Sequence, residues 1–180
     1  MPAVTVARLM TDADVPAAAA VGRAALDAMI PDEFRPSDAA EEARMAARSQ
    51  TRVRHLRELD PEGAWVADQD GEVVGVALAL VREGLWGLSL FGVKPGLQGQ
   101  GVGGPILDGA LRLAQRDDVD AGIILSSTDP RAMRRYFRAG FRLLPCVAAA
   151  GAINRARLPA GQRARAGEVE DDRELIDAAS

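Results

Sequence analysis

The sequence predicts a mixed α/β fold, a mostly antiparallel sheet with one parallel crossover, and three observations carry that prediction. Residues 64–93 hold three consecutive apolar strands separated by tight turns. A glycine-rich loop, Gln98-Gly99-Gln100-Gly101-Val102-Gly103-Gly104, follows directly and opens a helix. One further apolar strand begins at Ala121, after that helix and before another, which is the order of a single β–α–β crossover.

Each element has its local reason. Val4 to Leu9 alternates as a strand does, with Thr and Val favouring extended backbone. Thr11-Asp12-Ala13-Asp14 offers a helix N-cap and an acidic first turn, and an alanine-rich helix is expected to about Met29. Pro31 and Pro36 bracket a break, after which Ser37-Asp38 starts a second helix to about Leu59. Ala64 to Ala67 is a strand, Asp70-Gly71 a hairpin turn that needs positive φ, and Val73 to Val81 the returning strand. Leu85 to Val93 completes the meander. A helix from about Val102 to Arg116 follows, then a short buried strand over Ala121 to Ser126. Asp129-Pro130 is an N-cap with proline at the first helical position, and Gly140 closes that last helix near Ala139. Extended structure resumes over Phe141 to Leu144. Beyond Pro145 the periodicity fades, so we expect one domain over residues 1–150 and an extension, edge strand or linker, over 151–180.

Composition narrows the class. With 180 residues, 48% of them hydrophobic and 27% charged, the chain suits one soluble globular core. No apolar run approaches the ~18–20 residues that span a membrane, and the N-terminus has no secretory pattern. A net charge of −4 argues against a nucleic-acid footprint. Cys146 is the only cysteine and fits a reducing cytoplasm rather than a disulfide framework. One His and one Cys form no metal constellation.

The glycine loop is the strongest chemical signal. The first amides of a helix lack internal partners and carry the positive end of the macrodipole, so a strand–loop–helix junction can hold a phosphate. Pro105 has no amide and belongs in the first turn, which leaves donors from about Gln98 to Gly104. Gly99, Gly101 and Gly104 also match the dinucleotide pattern Gly-x-Gly-x-x-Gly, with Asp118 and Asp120 downstream. That pattern alone cannot choose between a dinucleotide, another pyrophosphate ligand and a purely structural glycine-rich helix start. The preceding meander argues against a dinucleotide fold, which repeats βαβ units. A Walker A loop is excluded because no Gly-Lys-Ser/Thr follows.

The stretch Val93-Lys94-Pro95-Gly96-Leu97-Gln98-Gly99-Gln100-Gly101-Val102-Gly103 resembles the GNAT superfamily of acyl-CoA-dependent N-acyltransferases. Its signature is Gln/Arg-x-x-Gly-x-Gly/Ala after a strand ending in Val-x-Pro. A second family motif, Asn-x-x-Ala-x-x-Leu-Tyr-x-x-x-Gly-Phe, is approximated by Asp129, Ala132, Tyr136, Gly140 and Phe141. Asp129 replaces the asparagine, and Arg135 the apolar residue before the tyrosine. The resemblance covers residues 64–144 well and the N-terminal elements more loosely. The chain also resembles the first half of bacterial tandem-GNAT proteins, in which Asp171 to Asp177 opens a second copy.

The resemblance implies helices on both faces of the sheet and a splayed parallel strand pair. It implies acetyl-CoA as co-substrate, its pyrophosphate on residues 98–104 and its pantetheine arm along Phe91, Gly92 and Val93. Asp129 and Ala132 belong to the same cofactor motif. Tyr136, the only tyrosine, takes the position of a general acid for the departing thiolate; the alternative is an amphipathic core aromatic. The implied reaction is direct acetyl transfer to a primary amine, and an acyl-CoA-binding module without turnover is the alternative. No base is evident. Ser89 takes an inward place, Glu83 lies just before that strand, and Asp32 and Glu33 lie in the loop expected to overhang the acceptor site. Each of these acids reads as a solvated charge, with a base as the alternative, and His55 on its arginine-rich helix reads as surface. Cys146 reads as a small buried hydrophobe. Arg131, Arg134, Arg135 and Arg138 crowd the last helix, as a solvated basic face or near the CoA 3′-phosphate. A homodimer in which a partner completes the sheet edge is a further expectation.

Overall fold

A computed structural model describes residues 4–28, 36, 38–147 and 155–157. The chain divides into two units, Met1–Leu143 and Leu144–Ser180. In the first unit the order is β1 (Thr5–Leu9), α1 (Val15–Asp27), α2 (Ala39–Leu59), β2 (Ala64–Gln69), β3 (Glu72–Arg82), β4 (Leu85–Val93), α3 (Gly103–Leu111), β5 (Ala121–Ile124) and α4 (Pro130–Arg138). The sheet order is β1-β2-β3-β4-β5, with β1 to β4 antiparallel and β4–β5 parallel. This is the predicted mixed α/β architecture.

Two apolar layers sandwich the sheet. Val15, Ala18, Ala19 and Val21 of α1 and Val53 of α2 pack with Val66, Val76, Leu78 and Leu90. On the opposite face Val102, Ile106, Ala110 and Leu113 pack with Ala67, Val74, Ala77, Ala79 and Trp86. Burying each valine, leucine or isoleucine of these layers is worth about 1.5–3 kcal/mol. Asp70 (φ 53°) and Gly71 (φ 88°) form the predicted turn, and Glu83 (φ 47°) with Gly84 (φ 77°) forms a second of the same kind.

Two bulges interrupt the ladders and reset which face each side chain takes. Ala67 pairs with Gly75 and Asp68 with Val73, so Val74 is the extra residue of β3. Leu78 pairs with Leu90 and Ala79 with Leu88, so Ser89 is the extra residue of β4.

Four expectations need correction. The strand expected to be buried over Ala121 to Ser126 is β5, only Ala121–Ile124, and its first three residues are exposed. It lies at the end of the sheet order, with no neighbour on its outer side among the described residues. Phe141 to Leu144 forms no strand, so the described sheet ends there. The helix expected to Arg116 tightens into a 3₁₀ turn over Arg112–Gln115. In the second unit Leu144, Pro145, Cys146 and Val147 are exposed, and Arg155–Arg157 forms one 3₁₀ turn. Cys146 is therefore not a buried hydrophobe. Met29, Asp32, Glu33, Ser37 and Asp171 to Asp177 lie outside the described residues. Among the described residues, no helix is long and apolar enough to cross a membrane.

Candidate active site

The cleft originates in the parallel pair. β4 and β5 are paired only from Leu85↔Ala121 to Leu88↔Ile124; beyond Leu88 the two strands separate. A cavity of about 480 Å³ occupies that gap. It is lined by β4 from Leu88 to Val93, the glycine loop, residues Ile124 to Ser127, and the first turns of α4.

The β4 backbone divides its hydrogen bonds between two neighbours. Lys94 N–H donates to Val74 O at 2.9 Å, so by antiparallel alternation Gly92 bonds to β3 while Phe91 and Val93 turn their peptide groups to the cleft. That refines the expectation that all three residues pair with an extended ligand. Gly92 is needed for a different reason: a Cβ there would meet the Ala25 Cβ of α1 at 2.9 Å.

The loop keeps a set of free donors. Gly99 (φ 81°) and Gly101 (φ 91°) are left-handed, a conformation that glycine adopts without strain. Gln100 N–H donates to Leu97 O and Gly104 N–H to Gly101 O. The amides of Gly99, Gly101, Val102 and Gly103 make no hydrogen bond to described residues. They sit at the start of α3, where the macrodipole favours an anion. Gln98, Gly99, Gly101 and Gly103 line the cavity; Gln100, Val102 and Gly104 do not. The Val102 side chain is instead buried in the α3 layer.

Gln98 ties the loop to α4. Its amide donates to Val93 O at 3.3 Å, and its Oε1 accepts from Arg131 at 3.0 Å. Arg131 in turn meets Asp129 through Nε and Nη2, and Asp129 Oδ1 accepts the Arg131 N–H as the cap of α4. The Arg131 guanidinium and backbone N–H hold the Asp129 carboxyl below the usual carboxylate range. An acid at this position is tolerated because an arginine two residues later neutralises it.

Tyr136 lies on the same wall, with its ring edge-on to Phe91 at a centroid distance of 6.1 Å. It is 6% exposed, lines the cavity, and its hydroxyl has no hydrogen-bond partner among the described residues. Burial, reinforced by the Asp129 charge, pushes the phenol up to about 12. The group stays protonated and able to donate. Arg135, the departure from the family pattern, lies over the start of α3: a Cβ on Gly104 would meet its guanidinium at 2.7 Å. Together with Arg131, Arg134 and Arg138 it lines a second depression of about 220 Å³ beside the cavity.

Of the remaining candidates, Glu83 and His55 do not line the cavity. Both are exposed. Ser89 is half-buried at the β4 bulge and does line the cavity, as do Arg52, Ala25 and Leu26, which sequence reasoning missed. Among the described residues no group of His, Cys, Asp or Glu is placed to hold a metal ion.

This geometry agrees with comparison to known proteins. The model of the acetyltransferase (GNAT) family matches residues 26–141. The chain belongs to the GNAT acetyltransferase family. A curated relative, mycothiol acetyltransferase from Streptomyces avermitilis, is 32% identical over 85 residues. That alignment takes in 46% of this GNAT chain and only 28% of the relative's length. The PaiA N-acetyltransferase from Thermoplasma acidophilum, solved with coenzyme A, superposes with a TM-score of 0.62 at 12% identity, covering 78% of this chain and 91% of the other. A GNAT acetyltransferase from Brucella melitensis, solved with acetyl-CoA, gives a TM-score of 0.56 at 21% identity, covering 78% and 84%. At such identities the structures establish the shared fold.

Proposed function

We propose that this GNAT domain transfers an acetyl group from acetyl-CoA to a primary amine by direct attack. One observation carries the reading: a single cavity joins free amides at a helix start, a stretch of β4 edge that β5 does not pair and a protonated tyrosine. The residues fit the co-substrate at each step. Gly99, Gly101 and Gly103 present amides for the pyrophosphate, and Phe91 and Val93 offer a strand edge for the two pantetheine amides. Family membership and the Streptomyces relative, itself an acetyltransferase, support the same chemistry.

In the proposed reaction the amine nitrogen bonds to the thioester carbonyl carbon as the carbon–sulfur bond breaks. Tyr136 Oη–H donates its proton to the departing sulfur, and the ammonium formed by attack gives up the proton that restores the phenol. No acyl-enzyme is needed.

Free-thiol release from acetyl-CoA across amines, amino acids, polyamines, aminoglycosides and peptides tests this directly. Turnover with at least one class is the expected result. The second reading is an acyl-CoA-binding module, favoured by one feature: the acid lining the cavity, Asp129, is bonded to Arg131 and is not free to act as a base. Tight acetyl-CoA binding with no thiol release from any acceptor would establish that module instead.

A further inference from the structure

The end of the cavity away from the glycine loop is built around a guanidinium. Ser89 lies four residues before Val93, about 13 Å along the strand at ~3.3 Å per residue. The β4 bulge releases Ser89 from the β3 register. Arg52 of α2 uses that opening: its Nη2 donates to Ser89 O at 2.7 Å and to Ser89 Oγ at 2.8 Å. Both hydrogens of Nη2 are thereby spent, and the guanidinium is fixed in place. Its Nε–H and the two N–H groups of Nη1 have no partner among the described residues, and the residue is exposed to the cavity it lines.

Among the described residues that line this end, the charge is one-signed. Ala25, Leu26, Leu88, Ser89, Arg52 and Ile124, the partner of Leu88, line it, and the only acid among the described lining residues, Asp129, is held by Arg131 beside the glycine loop. A polycationic acceptor would meet a like charge that no described lining residue of this end offsets, which disfavours binding. A carboxylate would meet a fixed planar donor group, the partner for which guanidinium geometry is best suited. The phosphates of acetyl-CoA do not supply that anion, because the loop that would hold them is at the far end.

We infer that the acceptor is a primary amine that also carries a carboxylate, and that Arg52 is the residue that takes the carboxylate. This rests on the amine-transfer reading above. Arg52 acts as a specificity determinant: it holds the acid group so that the amine faces the cleft near Tyr136, and the Ser89 bulge holds Arg52.

Matched pairs test it. With saturating acetyl-CoA, thiol release is measured for L-phenylalanine against phenethylamine and L-leucine against isopentylamine, with spermidine and kanamycin as polycations. The acid-bearing member of at least one pair should show kcat/KM higher by about tenfold or more, mainly through KM. Arg52→Gln should collapse that ratio to about one, and Arg52→Lys should restore part of it. Faster turnover of the decarboxylated amines or polycations overturns the inference and leaves acetyl transfer standing. So does an Arg52→Gln enzyme that slows both members equally, because a guanidinium that only props the bulge cannot tell them apart. Turnover of no acceptor, while calorimetry shows acetyl-CoA bound, overturns the amine-transfer reading and this inference with it.

Discussion

Tyr136 shows how much chemistry one side chain draws from its surroundings. Its ring packs edge-on to Phe91, while its hydroxyl opens on the cavity without a partner. Removing that hydroxyl should cost the proton and little else. Tyr136→Phe is predicted to lower kcat by about 100-fold, within the range for general acids. Acetyl-CoA affinity by calorimetry should stay within about twofold, since the ring and its contacts remain. Burial raises the phenol to about 12, so the acid form persists throughout the accessible range. The pH profile of kcat should therefore rise with deprotonation of the acceptor amine and show no alkaline fall below about pH 11. A fall between pH 9 and 10 would assign the proton to another group. At the same scale, Asp129 caps α4 and is neutralised by Arg131, so Asp129→Asn should retain acetyl-CoA binding.

At the scale of elements, the loop and α3 depend on glycines for two distinct reasons. Gly99 and Gly101 have open space where a Cβ would point, but their φ values of 81° and 91° disfavour any side chain. Forcing alanine into that region costs roughly 1–2 kcal/mol, and the loop would relax away from it. Gly101→Ala should therefore weaken acetyl-CoA binding about tenfold while the melting temperature moves little. Gly109 has the opposite problem. A Cβ there would lie 2.4 Å from the Trp65 ring, which also receives the Arg112 guanidinium at 5.3 Å from its centroid. Gly109→Ala should push α3 off the sheet and destabilise the protein by about 1–3 kcal/mol, visible in urea unfolding. The β4 bulge belongs to the same scale, because it frees Ser89 to hold Arg52.

Over the whole molecule, a charged cluster fastens the sheet edge to the start of α1. Arg8 on β1 holds Asp14 through two bonds of 2.7 and 2.8 Å and reaches Asp68 on β2 at 2.9 Å. Asp14, at 8% exposure, also accepts from Thr11 N–H and Oγ1. The Arg8 hydrogen bonds lead the causes that hold its carboxyl far below 3.8, against the opposing effect of burial. A carboxyl lowered in the folded state contributes stability in full above its unfolded value and loses it as pH falls through the folded one. Asp14→Asn should therefore cost on the order of 2–3 kcal/mol at pH 7, by removing a charge-assisted network from a nearly buried site. The gap between variant and parent should narrow as the pH drops below about 4, measured by chemical unfolding at each pH.

The sequence by itself determined the order of elements from β1 to α4, the meander, the turns at Asp70-Gly71 and Gly140, and the cap at Asp129. These are local: period, capping chemistry and positive φ are written in a few adjacent residues. It also determined the family, because two glycine- and tyrosine-bearing motifs stand at a fixed separation. Only the tertiary structure decided which loop amides are free, because Gln100 and Gly104 turn theirs into the loop's own carbonyls. Only it separated Gly92, needed for helix packing, from Phe91 and Val93 on the cleft edge. And only it brought Arg52 to Ser89, 37 positions away. On an arginine-rich helix no spacing singles that residue out; a bulge in a distant strand does. Contacts of that kind follow from how layers pack, and packing leaves no periodic mark in the chain.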